Sequence, residues 1–268
     1  RLNSAPTANV TLTLSDNDST EVSASPTTLS FSSGNWSTSQ VITLTGMDDN
    51  VSDGSQSTLV TLTPSGGDYG SVSAQTLTVT TMDNDTVGLV LSESEALVSE
   101  NGSISDNFSV VLRSEPTANV TVTVGDNDST EVSASPTTLT FSPGDWSTVQ
   151  WVTLLGVDDN VSDDNQTTLL TLTPSGGDYG SMSALTLTVT TSDNDTVGLV
   201  LSKSSGVVSE NGSVSDNFSV VLTSEPTDNV TVTVGDNDST EVSASPSTLN
   251  FSPADWSVAQ WVTLTGKD

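Results

Sequence analysis

Carboxylates recur in tight groups along this chain, each in a short run rich in Asp, Asn, Ser and Gly. Across residues 86–195 the groups are Glu100 in VSEN, Asp126 and Asp128 in GDNDSTE with Glu131 just after, Asp158, Asp159, Asp163 and Asp164 in DDNVSDDN, and Asp193 and Asp195 in SDND. Adjacent carboxylates repel unless something positive sits between them, and the chain holds 4 Lys and Arg against 34 Asp and Glu. The chemistry open to such groups is the binding of a hard cation. Calcium takes about six to eight oxygen ligands, supplied by carboxylates, carbonyls and Asn side chains of loops that curl around it. A lone Asp-x-Asp is weak evidence, because Asp and Asn are also favoured turn residues. Weight comes from the constellation, and from where the fold must put it.

That placement follows from a repeat. SDNDSTEVSASP at Ser15 returns as GDNDSTEVSASP at Gly125 and Gly235, an offset of 110 residues each time. DDNVSD begins at Asp48 and Asp158, TPSGGDYGS at Thr63 and Thr173, VSENGS at Val98 and Val208, and DNDTVGLVLS at Asp83 and Asp193, all in the same register. This period exceeds the roughly 20 to 50 residues of a solenoid coil and suits an independent domain with its own core. The expected units are residues 1–85, which lack the first strands, a complete unit at 86–195, and 196–268, which lack the last strands. Arg1 falls in register with Val111, inside a strand, and Asp268 with Asp158, inside an acidic loop, so the expectation is a window on a longer array.

Within the complete unit, apolar residues alternate with Thr or Ser at Phe108 to Leu112, Val120 to Val124, Leu139 to Phe141, Gln150 to Leu154, Leu169 to Leu172 and Leu185 to Val189. Period two with β-branched residues predicts half-buried antiparallel strands. With the run Val87 to Leu91 this makes about seven strands per unit, separated by Pro, Gly, Asn and Asp turns, the pattern of an immunoglobulin-like sandwich. The predicted fold is therefore all-β, a tandem of antiparallel β-sandwich domains. Phe141, Trp146 and Trp151 read as packing residues of core or rim. The Thr arrays read as solvent-facing strand positions rather than an ice- or carbohydrate-binding face. SDND closes the last strand of one unit just before the first strand of the next, so its carboxylates fall at the junction between domains.

A formal charge of -30 rules out nucleic acid as a natural partner, since phosphate binding needs clustered Lys and Arg, and equally rules out acidic membrane surfaces. Like charge in such excess opposes a compact state. Cations relieve it, and so does spreading the acids along an extended molecule; a solvated acidic surface adapted to high salt also explains the excess, but here the acids cluster at fixed loop positions. With Cys 0 and His 0, disulfides, thiolate chemistry, most zinc sites and the usual general base are absent. A metal staple is the remaining way to reinforce a sandwich core of this size. No apolar run approaches the roughly 20 residues that span a bilayer.

The order VSENGS, a strand-rich stretch, TLTFSPGDWSTVQWVTLLGVDDNVSD and LTVTTSDND resembles the Calx-β domain and the related tandem repeats of large bacterial surface adhesins, over the whole unit. In that family a Glu near the first strand, a double Asp after the central strand and an acidic group closing the last strand form a calcium cluster at one end. The resemblance implies calcium ligands at Glu100, Asp158, Asp159, Asp193 and Asp195, with Asp163 added. In the partial units it implies Asp48, Asp49, Asp53, Asp83 and Asp85, and Glu210 and Asp268. The family's middle Gly-x-Asp-Tyr stretch is replaced here by the shorter DNDSTEV, where Asp128 and Glu131 are the alternatives for a ligand.

Nearly every Asn begins an Asn-x-Ser/Thr acceptor sequence, among them Asn119, Asn127, Asn160, Asn194, Asn211, Asn217 and Asn229, which predicts an extracellular, glycosylated chain. Two functions fit. One is a calcium-binding extender of a giant surface adhesin, or the body of an extracellular filament, whose partners are neighbouring repeats and, in a filament, identical chains. The other is a glycan- or protein-binding module repeated along a surface protein, for which Tyr69 and Tyr179 in GGDYGS are the exposed aromatics expected of a binding loop. Paired carboxylates can cleave glycosides, but here they recur in every unit without an aromatic platform, so no enzyme is expected.

Overall fold

Val120, Val122 and Val124 turn inward and are almost wholly buried, while Thr123 between them is exposed. Strands of this kind make up nearly all the regular structure. The computed structural model describes all residues 1–268. The first unit contributes β1 (Val10–Asp16), β2 (Val22–Ser25), β3 (Thr28–Phe31), β4 (Thr43–Gly46), β5 (Gln56–Ser65) and β6 (Gln75–Thr81). The middle unit contributes β7 (Leu89–Leu91), β8 (Glu95–Ser99), β9 (Ser105–Leu112), β10 (Val120–Asp126), β11 (Val132–Ser135), β12 (Thr138–Phe141), β13 (Gln150–Gly156), β14 (Gln166–Ser175) and β15 (Leu185–Ser192). In the third are β16 (Leu199–Leu201), β17 (Ser215–Leu222), β18 (Val230–Thr233), β19 (Val242–Ser245), β20 (Thr248–Phe251) and β21 (Gln260–Gly266). No helix is long and apolar enough to cross a membrane.

The middle unit is a two-sheet sandwich, with strand orders β12-β10-β14-β15-β8 and β11-β13-β9-β7. Two segments change sheet. β7 pairs antiparallel with β9, and after Leu91 the chain crosses so that β8 runs parallel to β15 in the other sheet. β11 pairs with β13, and past the cis Ser135–Pro136 peptide β12 pairs with β10. The unit thus has nine strands where alternation indicated about seven. The two that alternation does not reveal, β8 and β11, are 5 and 4 residues long and include Glu95 and three Ser.

Facing side chains from both sheets form one cluster of 19 buried residues in the middle unit, against 5 in the third. The contrast has a simple origin: the third unit has no counterparts of β14 and β15 in this chain. Leu89 is 7% exposed in the middle unit and its repeat-mate Leu199 is 52% exposed.

Two expectations need correcting. Phe141 is buried and Trp146 packs against the core, but Trp151 is 56% exposed, because β13 sends Val152 and Leu154 inward and so turns Trp151 to the outer face. Tyr179 is not an exposed binding group. It is fully buried, and its hydroxyl accepts from Ser114 N (3.1 Å) and donates to Ser114 O (2.8 Å). Tyr69 makes the same contacts with Ser4. The turn that delivers Tyr179 needs glycine at position 176, where φ is 94 and a Cβ would lie 2.4 Å from Asn119 O.

Phe108, wholly buried in the middle of β9, reports on this core. Phe108→Ala is expected to destabilise the middle unit by about 3–5 kcal/mol, read as a lowered midpoint of that unit's transition in denaturant unfolding.

Candidate metal centre

The loops that follow β10 and β13 and the ends of β8 and β15 meet at one end of the middle sandwich. β8 and β15 run parallel in register from Thr188↔Glu95 to Ser192↔Ser99, so Glu100 and Asp193, the next residue on each, emerge side by side. Glu100 N donates to Ser192 O (3.2 Å) and fixes this alignment. Gly156 ends β13 directly beneath: a Cβ there would lie 2.3 Å from Ser99 O, so only glycine lets the Ser99–Glu100 backbone settle against it. The result is a triad, Glu100, Asp193 and Asp195, with one carboxylate oxygen from each within 4.8 Å of the others.

Backbone and side-chain bonds stitch the acidic loop 158–164 onto this triad. Val161 N donates to Asp159 Oδ1 (2.7 Å), Asp164 N to Asp193 Oδ2 (3.0 Å), and Ser162 Oγ to Asp195 O (3.2 Å). Asp195 N donates to Asp193 Oδ1 (2.6 Å), and Asn194 N to Glu100 Oε2 (3.3 Å). Asp164 holds φ 68, a left-handed turn position where Asp is tolerated. These bonds set the carboxylates in place without cancelling their charge. The one salt bridge of the chain joins Lys203 to Asp216, far along the sequence, and Lys267 Nζ is spent on Ser239 O.

The unrelieved charge shows in the proton affinities. Burial pushes the Glu100 carboxyl up to about 7; the Asn194 N–H pulls it down, and Asp193, Asp159 and Glu131 push it further up. Asp195 is raised by burial and then by Asp193, Asp158 and Asp159. Glu131 is raised by burial first and next by Asp163, Asp128, Asp159 and Asp193.

Glu131 is the residue the family resemblance left undecided. It is 8% exposed, its Oε2 is buried without a hydrogen-bond partner, and it faces the same carboxylates as the triad. Its backbone O, which accepts from Val157 N (2.9 Å) and Thr191 Oγ1 (3.2 Å), locks it there. Asp128 is engaged elsewhere: its Oδ1 accepts from Thr130 N and Oγ1, which holds its carboxyl below the usual range. The available signal was position, since Glu131 precedes the inward-facing Val132 at the start of β11.

The structure therefore brings Glu100, Asp193 and Asp195 together, with Asp158, Asp159, Asp163 and Glu131 around them. In the first unit Glu21, Asp49, Asp53, Asp83 and Asp85 line one small concavity, with Asp48 also acting on Asp85. Its stitching repeats that of the middle unit, with Val51 N on Asp49 Oδ1 (2.8 Å) and Gly54 N on Asp83 Oδ2 (2.8 Å). In the third unit Glu210 and Asp268 are both exposed, in a unit with no strand matching β15. Asn119, Asn127, Asn160, Asn194, Asn211, Asn217 and Asn229 are all exposed.

No family model matches the chain, and no curated protein does. Among solved structures it is similar to domains 4 and 5 of the S-layer protein SbsC, at 15% identity and a TM-score of 0.34 over 68% of this chain and 70% of that one. It is also similar to CBD12 from CALX1.2 (16% identity, TM-score 0.30, 67% of this chain and 75% of that one) and to the D00-D0 domain of intimin (14%, 0.29, 72% and 96%).

Glu100 gives the site a pH signature. In the unfolded chain it ionises near its ordinary value of 4.5, but in the folded, metal-free protein only at about 7. Between those two pH values the unfolded state carries fewer protons, so metal-free stability falls as pH rises through this window and levels off above it. Thermal unfolding in chelator from pH 4.5 to 7.5 measures the fall, and Glu100→Gln flattens it.

Proposed function

We propose that each repeat is an extracellular structural unit that binds Ca2+ at this cluster, and that the array serves as a rigid extender of a large surface protein or as the body of an extracellular filament. The observation that carries the reading is the convergence of Glu100 and Glu131, 3% and 8% exposed, with Asp193 and Asp195, and no basic side chain paired to any of them. An acid buried without a positive partner is costly to ionise. A divalent cation removes that cost, and a ligand set made only of oxygen selects calcium or magnesium over softer metals. Seven carboxylates on four separate segments, Glu131 included, together with loop carbonyls, suit the high and flexible coordination of calcium better than the strict octahedron of magnesium.

The proposed ligands of the middle unit are Glu100, Asp158, Asp159, Asp163, Asp193 and Asp195, with Glu131 added by its burial. Asp48, Asp49, Asp53, Asp83 and Asp85 serve the first unit together with Glu21, and Glu210 and Asp268 belong to the third. The exposed Asn sequons support glycosylation of an exported chain. The alternative reading, a repeated glycan- or protein-binding module, loses its anchor in the GGDYGS loop with the burial of Tyr179, and the exposed aromatics that remain are the strand residues Trp151 and Trp261.

Calorimetric titration tests the reading. Calcium is expected to bind the wild-type chain, and Asp193→Asn to weaken the middle site by at least about tenfold through loss of a charged ligand. Calcium at about 100 times its dissociation constant should add ~2.7 kcal/mol to the stability of that unit. Small-angle scattering should show a stiffer particle with calcium than after chelation. A titration with no heat and no change in unfolding would sink the proposal. Glycosylation is checked on the natively exported protein by intact mass, where the mass of bare polypeptide would exclude it.

A further inference from the structure

The loop that carries Asp158, Asp159 and Asp163 also touches the following unit. Glu225 N donates to Asn160 O at 2.6 Å, and Val161 forms a parallel β-bridge with Glu225. The preceding junction has the same contact at the same register, with Glu115 N on Asn50 O at 2.7 Å and Val51 bridged to Glu115. A lone strand-like bond repeated at two junctions is a specific joint.

Both halves of the joint are held rigid from behind. On the donating side, Ser114 is fixed through its N and O by the Tyr179 hydroxyl, and Thr117 N donates to Asp178 Oδ1 at 2.9 Å. The GGDYGS turn thus clamps the Ser-Glu-Pro-Thr segment on either side of Glu115 and leaves the Glu115 N–H pointing to the neighbour. On the accepting side of the same joint, Asn50 sits between Asp49, which accepts from Val51 N, and Ser52, which donates to Asp85 O, and Asn160 of the next joint is held in the same way by Asp159 and Ser162. The carbonyl that grips the next unit is therefore positioned by residues of the metal centre. The hydrogen bond across each joint is between backbone atoms, and the corresponding segment of the first unit reads Ser-Ala-Pro-Thr, with Ala5 in place of the Glu.

We propose that the Asp158–Asp164 loop is a docking element for the Ser-Glu-Pro-Thr segment of the next repeat, and that metal occupancy controls the joint by ordering this loop. The proposal rests on the calcium reading and specifies the surface through which calcium stiffens the array. Tyr179 and Asp178 are positioning residues for the receiving segment and take no part in metal binding.

Amide hydrogen exchange on the full 15N-labelled chain, with calcium and after chelation, tests it beside a calorimetric titration of the same sample. Chelation is expected to speed exchange at the Glu115 and Glu225 amides by roughly tenfold or more, with the core amides of Val122 and Val152 still protected. If calorimetry shows calcium bound while both junction amides exchange at the same rate in the two conditions, the docking proposal is overturned and the calcium site stands. If no calcium binds, both fall. Tyr179→Phe should release the Glu115 amide alone, with calcium affinity unchanged, whereas Asp159→Asn should release Glu225 alone. Should Tyr179→Phe fail to fold, Asp178→Asn applies the same test, and release of both amides or of neither refutes the clamp.

Discussion

The constraint on which the rest depends is the mutual repulsion of carboxylates held at one end of the sandwich. Glu100, Glu131 and Asp193 cannot spread apart, because each is the first residue past, or the last before, a strand whose register is fixed by ladder bonds and by a core of 19 buried residues, and Asp195 is tied to Asp193 through its own N–H. The core supplies the free energy and the loops take the strain. Burial holds the Glu100 carboxyl up at about 7, and the neighbouring carboxylates add to that push.

The two sheet-switching segments matter most for this arrangement. If β7 and β8 were one uninterrupted strand in the smaller sheet, Glu100 would leave the sandwich on the wrong layer to meet Asp193. The crossing after Leu91 lets β8 run parallel to β15, and a parallel pair is the only arrangement in which both strands deliver their following residues to the same end. The second switch, from β11 to β12, likewise lets Glu131 enter from the smaller sheet while β12 closes the larger. Thus both buried Glu residues sit beside strands that change layer, and Asp158, Asp159 and Asp163 come from the β13–β14 connection, which also crosses from one sheet to the other.

Much of this was legible in the chain. The 110-residue offset and the Thr–Val alternation specify repeated β-sandwiches, and the spacing of VSEN, DDNVSD and SDND marks the acidic end. Three features were hidden for physical reasons. β8 and β11 are too short and too rich in Ser and Glu to show alternation over several periods. Trp151 looks like a core residue by type, yet one step along β13 carries it to the other face, and a period of two does not say which phase is inside. Tyr179 looks like an exposed loop aromatic, but its ring fills the core while its hydroxyl finds Ser114, 65 residues earlier in the chain. The choice between Asp128 and Glu131 turned on a contact of the same kind, in which a local Thr130 satisfies Asp128 and leaves the Glu as the unpartnered acid.

An acidic surface adapted to salt would also explain a formal charge of -30, and burial separates the two accounts. Acids that hold a hydration layer must face water, as Asp126 and Asp164 do. Glu100 and Glu131 are both buried at the end of the sandwich, where Coulomb repulsion from the neighbouring carboxylates is less screened than at the surface. A selective pressure for solubility gives no reason to place carboxylates there, and the desolvation cost gives a reason to remove them. On the proposed reading, a cation bound among them removes that cost. The loop proposed to close over that cation is the loop whose Asn160 carbonyl meets Glu225, so in this proposal the electrostatic problem of one repeat and the mechanical coupling to the next fall to the same few residues.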